Sequence, residues 1–163
     1  MTKAEIIRDL RISKKLTQEE AASLVGLSLR TYQNYEYGAS TRDTFKINFV
    51  IKLLKDYERI TETKGILTLN EIKSSAKEVF DSFNIEYAFL FGDYSTSRIS
   101  EDSDIKLLIS GTFTGLELPF IESELKGKLH KKISLLTMSD QINNPSFLNE
   151  ILKTGIRIYS KDK

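Results

Sequence analysis

The stretch from residue 29 to residue 37 combines side chains that can recognise DNA bases. If this stretch is helical, Arg30, Gln33 and Asn34 share its outer face. Arginine prefers guanine, glutamine and asparagine prefer adenine, and an apolar side chain can contact the methyl group of thymine. Polar residues beside such a face can hold the neighbouring phosphates. The side chains that we expect at a DNA interface are Gln18, Leu29, Arg30, Gln33, Asn34, Tyr37, Ser40, Thr41 and Arg42.

A second stretch places a glycine turn ahead of charged residues on a strand. Asp104 and Lys106 lie two apart at the start of an apolar run, and ten residues separate them from Gly92 and Asp93. Alternate strand residues point to one face, so two carboxylates at this spacing could hold the metal ions that neutralise charge in phosphoryl transfer. The second position is a lysine here, and one carboxylate rarely retains Mg²⁺ without help from substrate phosphates. We therefore expect no resident metal, with Asp104 as the ligand if there is one.

The elements that must position the first stretch are predicted to form a helix-turn-helix. A capping box opens a helix after Thr17, and Gly26 can adopt the positive φ that ends this helix in a tight turn. Ser28 then caps a second helix, which Gly38 terminates. Two short helices joined by such a turn form a helix-turn-helix. Because this geometry also occurs in proteins that bind no DNA, the spacing alone leaves a merely solvated polar face as an alternative.

The second half of the chain alternates helices with strands, which predicts a small mixed-sheet α/β domain. The periodicity predicts strands at 87–91, 104–109, 132–137 and 156–159, and helices at 68–83, 118–129 and 145–153. The helical period lapses around Gly65, which indicates a linker. The sequence thus predicts two domains, an all-α helix-turn-helix domain at 1–62 and the α/β domain at 67–163.

Composition excludes several kinds of site. With 24 basic and 23 acidic side chains among 163 residues the net charge is +1, so any DNA binding must come from a local patch. The absence of cysteine excludes disulfides, thiolate zinc sites and iron–sulfur clusters, and the single histidine, His130, excludes a His-based metal site. No apolar run approaches the length of a membrane span, so we expect a cytoplasmic protein without a membrane partner. A basic cluster that we interpret as a solvated face consists of Lys126, Lys128, Lys131 and Lys132.

The first half carries a family resemblance in the stretch LRISKKLTQEEAASLVGLSLRTYQNYEYG. It resembles the lambda-repressor/Cro-like (XRE) helix-turn-helix family over about the first 60 residues. The resemblance implies a five-helix domain that binds operator DNA, usually as a dimer. Its register also implies a partly buried ion pair between Arg11 and Glu36. The matching positions are Arg11, Thr17, Gln18, Ala22, Gly26, Ser28, Glu36 and Gly38.

The second half carries another resemblance in the stretch LFGDYSTSRISEDSDIKLLI. It resembles the small nucleotidyltransferase domain of the MNT type, which is polymerase-beta-like in fold. The family pattern is Gly-Ser, ten residues, then Asp-x-Asp, with a third carboxylate from the neighbouring strand. Here Asp93 replaces the serine, Lys106 replaces the second aspartate, and Ser134 occupies the third carboxylate position, so only Gly92 and Asp104 remain. We expect an inherited fold without catalysis. Asp93 and Lys106 are predicted to face each other as an ion pair, and the alternative is that both side chains simply reach water.

Together the two resemblances imply a transcriptional regulator of antitoxin type. MNT domains resemble antitoxins that pair with HEPN-domain ribonuclease toxins, so the expected partners are operator DNA, a second copy of the chain and a HEPN-domain toxin. The α/β domain would then serve dimerisation or partner binding, and no cofactor is expected. One alternative is an active nucleotidyltransferase that adenylylates a toxin partner, which would need Mg²⁺ and ATP. Another is a regulator in which the former nucleotide cleft senses a ligand.

Overall fold

The computed structural model describes residues 1–162, which divide into two compact units. The helical unit comprises residues 1–59, and the α/β unit begins at residue 60. None of the helices in this described range combines the length and the apolar character needed to span a bilayer.

The helical unit is built from short helices that share one core. Its helices are α1 (Lys3–Ser13), α2 (Gln18–Leu24), α3 (Leu29–Glu36) and α4 (Thr44–Asp56). Among the described residues of this unit there are four helices, whereas the family resemblance implies five, so that expectation is wrong for this range. Apolar side chains from all four helices meet in the core, where Ile7, Ala22, Tyr32 and Leu54 are at most 2% exposed.

Capping interactions set the helix boundaries of the helical unit as predicted. The Thr17 hydroxyl accepts a hydrogen bond from the Glu20 backbone N–H at 3.1 Å, and the Glu20 carboxylate accepts one from the Thr17 N–H at 2.8 Å. The Ser28 hydroxyl caps α3 by accepting a hydrogen bond from the Thr31 backbone N–H, and Gly26, in the turn between α2 and α3, has φ +71°. The helix-turn-helix geometry therefore follows from local polar contacts together with one glycine.

The α/β unit is a four-stranded mixed sheet with strand order β3-β2-β1-β4. Strand β1 is antiparallel to β2 and to β4, whereas β2 and β3 are parallel. The elements are α5 (Leu69–Phe80), β1 (Ile85–Phe91), β2 (Ile105–Gly111), α6 (Glu117–Leu129), β3 (Ile133–Thr137), α7 (Met138–Gln141), α8 (Pro145–Thr154) and β4 (Ile156–Ser160), together with a short 3-10 helix at Gly92–Ser95.

Helices cover both faces of this sheet. Helices α5 and α6 pack on the face that carries Ile105 and Leu107, both fully buried. Helix α8 lies on the opposite face, where its Phe147 meets Phe91 edge-to-face with 5.3 Å between ring centroids. Lys106 pairs with Phe91 in the register of β1 and β2, so its side chain belongs to this second face.

The structure extends the predicted elements at specific points. Strand β1 begins at Ile85, two residues before the predicted start. A register shift between Ile85 and Tyr87 interrupts the alternating pattern, so the sequence periodicity did not reveal these first two residues. The 3-10 helix at residues 92–95 and the four-residue α7 carry no periodicity that a sequence could reveal. Residues 60–67, which include the expected linker, pack on the α/β unit through the buried Ile60 and Leu67.

Candidate nucleic-acid interface and nucleotidyltransferase cleft

The outward face of α3 carries the side chains that the sequence predicts. Arg30 and Asn34 are exposed, Gln33 is half-buried, and Tyr37, just after the helix, is 66% exposed. Leu29 is half-buried at the start of the helix. Tyr32 and Tyr35 lie in the core, with 0% and 7% exposure. The helix therefore presents a polar surface in which donors and acceptors are available to a partner.

A buried ion pair holds α3 against α1. The Arg11 guanidinium donates to Glu36 through Nε at 2.9 Å and Nη2 at 2.8 Å, and its Nη1 donates to the Leu16 carbonyl at 3.0 Å. The side chains are 16% and 1% exposed, respectively. The predicted pair between Arg11 and Glu36 is thereby confirmed, and its forked geometry fixes both the position and the rotation of the carboxylate.

Both members of this pair remain charged. Burial of Glu36 favours the neutral acid, but the hydrogen bonds donated by Arg11 and Gln18 outweigh it, so the pKa of the carboxyl lies below its ordinary value. The hydrogen bond to Glu36 in turn raises the pKa of the Arg11 guanidinium. Above its lowered pKa, the carboxylate of Glu36 is therefore a charged hydrogen-bond acceptor under α3.

A chain of side-chain hydrogen bonds runs from Glu36 to the outer surface of α3. Gln18 Nε2 donates to Glu36 Oε1 at 3.2 Å and to the Tyr37 hydroxyl at 3.0 Å. Gln33 Nε2 donates to Gln18 Oε1 at 3.0 Å. Sequence reasoning missed this chain, because Gln18 and Gln33 lie 15 residues apart and neither has a spacing signal that links them.

The segment after α3 supplies further polar groups. Thr41 and Arg42 are exposed and Ser40 is half-buried, and the Ser40 backbone N–H donates to the Asn34 carbonyl at 3.2 Å. A groove of about 400 Å³ separates this segment from the first residues of α1. The groove is lined by Thr2, Lys3, Ala4, Tyr35, Tyr37, Gly38, Ser40, Thr41 and Ile47.

In the α/β unit, the glycine turn after β1 lies against Lys106. Gly92 has φ +74°, a conformation that side chains disfavour. A Cβ atom at this position would lie 2.9 Å from Lys106 Cδ and 3.7 Å from its Cγ. The aliphatic part of Lys106 therefore packs directly on the backbone of the turn, in space that a side chain at position 92 would occupy.

The predicted ion pair between Asp93 and Lys106 is wrong. Among the residues that the structure describes, no ion pair joins them, and Asp93 Oδ2 instead accepts a hydrogen bond from the Ser103 hydroxyl at 3.1 Å. The physical reason is local, because the 3-10 helix starting at Gly92 brings Asp93 to the loop before β2. Relative to the family pattern, position 93 gains a negative charge and position 106 gains a positive one, but the two side chains need not contact each other.

The remaining motif positions converge at the start of β2. Lys106 and Ser134 are neighbours in the parallel register of β2 and β3, as the family pattern implies for the second and third carboxylate positions. The Asp104 side chain is 32% exposed, and Lys132 Nζ lies 3.9 Å from its Oδ2. Within residues 1–162 there is no cluster of three or more His, Cys, Asp or Glu side chains suited to a metal ion.

One lysine of the expected basic cluster is buried, which corrects the interpretation of a uniformly solvated face. Lys131 is 0% exposed, and its ammonium donates to the backbone carbonyls of Glu62, Lys64 and Glu101. Burial lowers the pKa of Lys131, although nearby carboxylates oppose the shift. The other three lysines are exposed. Lys126 pairs with Glu62, Lys128 pairs with Glu78, and Lys132 lies near Asp104.

Comparisons with known proteins assign a family to each unit. A family model described as polymerase beta, nucleotidyltransferase, matches residues 70–163, and a helix-turn-helix model matches residues 7–59. No curated protein sequence gives a significant match. The α/β unit carries a nucleotidyltransferase domain. The chain belongs to the polymerase beta nucleotidyltransferase family, and it carries an XRE-type helix-turn-helix domain ahead of that domain.

Several solved structures are similar to part of the chain. One is a toxin–antitoxin with AMP-PNP, with 16% identity, coverage of 59% of this chain and 76% of that chain, and a TM-score of 0.48. A mutant of the toxin–antitoxin MntA-HpeT has 15% identity, 59% and 76% coverage, and a TM-score of 0.47. A tri-AMPylated HEPN toxin of Shewanella oneidensis in complex with MNT antitoxin has 12% identity, 58% and 74% coverage, and a TM-score of 0.45.

The residues of the cleft do not fit the divalent metal ions that the family implies. Asp104 is the one carboxylate left at the three motif positions, and Lys106 stands at the second of them. Lys132 is a further cation beside Asp104. Because Mg²⁺ needs several hard oxygen ligands, a single carboxylate with a lysine ammonium 3.9 Å away is a poor donor set.

Proposed function

We propose that the chain is a sequence-specific, DNA-binding transcriptional regulator of antitoxin type that acts in the cytoplasm and whose nucleotidyltransferase domain transfers no nucleotide. The observation that carries this proposal is the exposed polar face of α3, held by the buried ion pair of Arg11 and Glu36. A helix that is held in place by such a pair and carries exposed polar groups on its outer face suits insertion into a major groove.

The side chains of this face divide into base readers and phosphate contacts. Arg30, Gln33 and Asn34 face outward and can donate to or accept from base edges, and Leu29 can contact a thymine methyl group. Ser40, Thr41 and Arg42 follow α3 and are placed to bind the adjacent phosphates. Tyr37 and Gln18 border the same surface, where Gln18 Nε2 donates a hydrogen bond to the Tyr37 hydroxyl.

The test of DNA binding is selection of the full chain on a random-sequence duplex pool. We expect the parent to enrich one motif, and Arg30→Ala to lose the base preference at one base pair at a cost of about 1–3 kcal/mol. Glu19→Ala, which removes an exposed side chain of α2 outside the proposed surface, is the control and should enrich the parent motif. An Arg30→Ala variant that binds as tightly and as selectively as the parent would show that this face is misassigned.

The chemistry of the cleft argues against nucleotidyl transfer. This reaction depends on cations that neutralise the triphosphate, and the loss of one charge-stabilising group commonly costs about 10²- to 10³-fold in rate. Two of three carboxylate positions carry Lys106 and Ser134, and Asp93 adds an anion at the turn that would approach phosphate. The rival function, an active enzyme that adenylylates a toxin, would have to work without these groups.

Labelling with radioactive ATP tests the loss of catalysis. The full chain with Mg²⁺ or Mn²⁺ and a candidate HEPN-domain partner should transfer no label to either protein. Asp104→Ala is the matched variant, since it removes the last carboxylate of the motif. Metal-dependent labelling that Asp104→Ala abolishes would contradict the proposal and restore the enzyme.

The nucleotidyltransferase domain is proposed to serve assembly rather than chemistry. Its described surface exposes large apolar side chains, including Leu116 at 81%, Phe120 at 54% and Leu152 at 77%. The resemblance to MNT antitoxins supports a HEPN-domain toxin as the partner, and the helix-turn-helix family supports a homodimer on DNA. Copurification of the chain with a HEPN-domain protein encoded beside it tests the first of these partners.

A further inference from the structure

We propose that the outer edge of β3 pairs in antiparallel fashion with β3 of a second copy of the chain, so that two α/β units share one continuous sheet. The inference rests on the proposed function, since a regulator that acts as a homodimer needs a surface through which its copies associate. It assigns that surface to the α/β unit and names the strand and the helix that form it.

Strand β3 is an edge of the sheet that lacks the usual protection against further pairing. The strand order places β3 at one end of the sheet and β4 at the other. Strand β4 carries the exposed cation Arg157 and has a register shift against β1, and both features discourage the addition of another strand. Strand β3 (Ile133–Thr137) has no charged residue, no proline and a regular register against β2. Of the two edges, β3 is therefore the one suited to accept a further strand.

The backbone groups of two residues face outward from this edge. The Ile105 N–H donates to the Lys132 carbonyl at 2.9 Å, and Ile105 is the partner of Ile133 in the parallel register. In such a ladder successive residues bond alternately to the two sides of the strand, so the N–H and C=O groups of Ile133 and Leu135 point away from β2. These two residues supply the donors and acceptors for one more strand.

The outward groups are complementary to a second copy of themselves. Two opposed residues of an antiparallel pair can exchange both of their hydrogen bonds. With a two-fold axis at Ser134, Ile133 of each copy faces Leu135 of the other, and every outward group finds a partner. An axis at Leu135 would instead require Thr137, whose carbonyl is committed to α7 because Thr137 is the N-cap of that helix. The pairing is isologous and closes at two copies.

Helix α6 lies beside this edge and favours the same occupant. A two-fold axis reverses the direction of α6, so the acidic Glu122 of one copy lies toward the basic Lys126 of the second copy. The existing pair of Lys126 with Glu62 is exposed on both sides, and such a pair contributes little, so Lys126 can exchange partners. The groove of about 390 Å³ between α6 and β3 is lined by Leu118, Pro119, Glu122, Ser123, Lys126 and Leu135.

Disulfide formation in the full chain tests the register, because the sequence has no cysteine of its own. Ser134→Cys should form an intermolecular disulfide on mild oxidation. The two opposed residues lie about 4.5 Å apart between Cα atoms in such a pair, and a disulfide needs about 4.4–6.8 Å. The matched control is Ser160→Cys, an exposed serine on the other edge strand, which should stay monomeric on a non-reducing gel. A Ser134→Cys chain that yields no more disulfide dimer than this control would overturn the proposal.

Charge reversal on α6 tests the same interface without oxidation. Glu122→Lys alone and Lys126→Glu alone place like charges across the axis, and each should raise the dimer dissociation constant at least about tenfold in sedimentation equilibrium without DNA. An equimolar mixture of the two variants should associate as tightly as the parent, because each copy then meets the opposite charge. Glu124→Lys, an exposed residue of α6 outside the groove lining, is the control and should leave the constant unchanged. Single variants that associate like the parent, or a mixture no tighter than its components, would contradict the pairing.

These results are distinguishable from a failure of the proposed function. If the parent enriches no DNA motif, the proposed function fails whatever the disulfide experiment gives. If the parent enriches a motif but Ser134→Cys forms no disulfide dimer, only the pairing of β3 is wrong, and this edge is left to a chain of another sequence.

Discussion

The pair of Arg11 and Glu36 shows how one residue contact supports the surface of the helical unit. The two side chains are nearly buried and joined by two short hydrogen bonds, and Glu36 also orients Gln18. Breaking a buried pair by removing one member leaves an uncompensated charge in the interior. The same carboxylate thus holds α3 against α1 and anchors the side chain of Gln18 beside the outer face of α3.

Replacing one member of this pair should destabilise the helical unit strongly. We expect Arg11→Met to lower the free energy of unfolding by about 3–5 kcal/mol, because Glu36 is left charged and buried. Urea unfolding of the full chain measures the change. The control is Arg8→Met, which removes an exposed cation from the same helix and should cost under about 0.5 kcal/mol. A similar small cost for Arg11→Met would contradict the importance of the pair.

The lowered pKa of Glu36 predicts a pH dependence with a defined sign. The pKa of Glu36 lies below its ordinary value of 4.5 in the folded chain, so the unfolded chain binds the proton more tightly. The stabilisation is therefore complete above about pH 4.5 and is lost as the pH falls through the folded pKa. We expect the stability difference between the parent and Glu36→Gln to shrink on acidification over this range. A difference that stays constant down to pH 3 would contradict the assignment.

Individual elements follow from the sequence where the contacts that define them are local. The capping boxes at Thr17 and Thr68 and the serine cap of α3 were predictable, because their signals lie within a few residues. The hydrogen bonds of Gln18 and the burial of Lys131 were not, since they join segments that are distant in the chain. The predicted Asp93–Lys106 pair is wrong because the motif places the two residues near each other in the fold without fixing the direction of their side chains.

The segment before α5 depends on Lys131, which predicts a local effect of its removal. The Lys131 ammonium donates hydrogen bonds to the backbone carbonyls of residues 62 and 64. The variant Lys131→Met would remove this donor from both carbonyls. We expect faster amide hydrogen exchange at residues 61–67, with the exchange of β1 and β2 unchanged. Lys128→Met, which removes an exposed lysine of the same cluster, is the control. Equal protection in both variants would show that Ile60 and Leu67 hold the segment without help.

At the scale of the whole molecule, DNA binding must rely on a small number of local contacts, because the net charge is only +1. Each phosphate neutralised by the protein contributes about 0.9 to the slope of log affinity against log salt. Arg42 is the one arginine in the segment after α3. A dimer would place two such surfaces on half-sites about one helical turn apart.

The salt dependence of operator binding therefore tests the role of Arg42. We expect Arg42→Ala to weaken binding to all sequences alike and to reduce the salt slope by about 1 for each copy bound. Fluorescence anisotropy on the selected duplex, measured at a series of salt concentrations between about 50 and 200 mM, gives this slope. Arg98→Ala, an exposed arginine of the α/β unit, should leave the slope unchanged. A variant of Arg42 that alters base preference but not the slope would place this arginine among the base readers.

Gly92 is one of the two residues of the family pattern that remain, and the packing of Lys106 against it changes how its presence is interpreted. Gly92 matches the family pattern, yet the space above its Cα is filled by the methylene groups of a lysine that the pattern lacks. The glycine thus has a structural reason to persist that is independent of any phosphate. The presence of Gly92 is therefore weak evidence for a retained active site, and a Lys106→Asp change would also leave a gap beside the turn where the methylene groups of the lysine now pack.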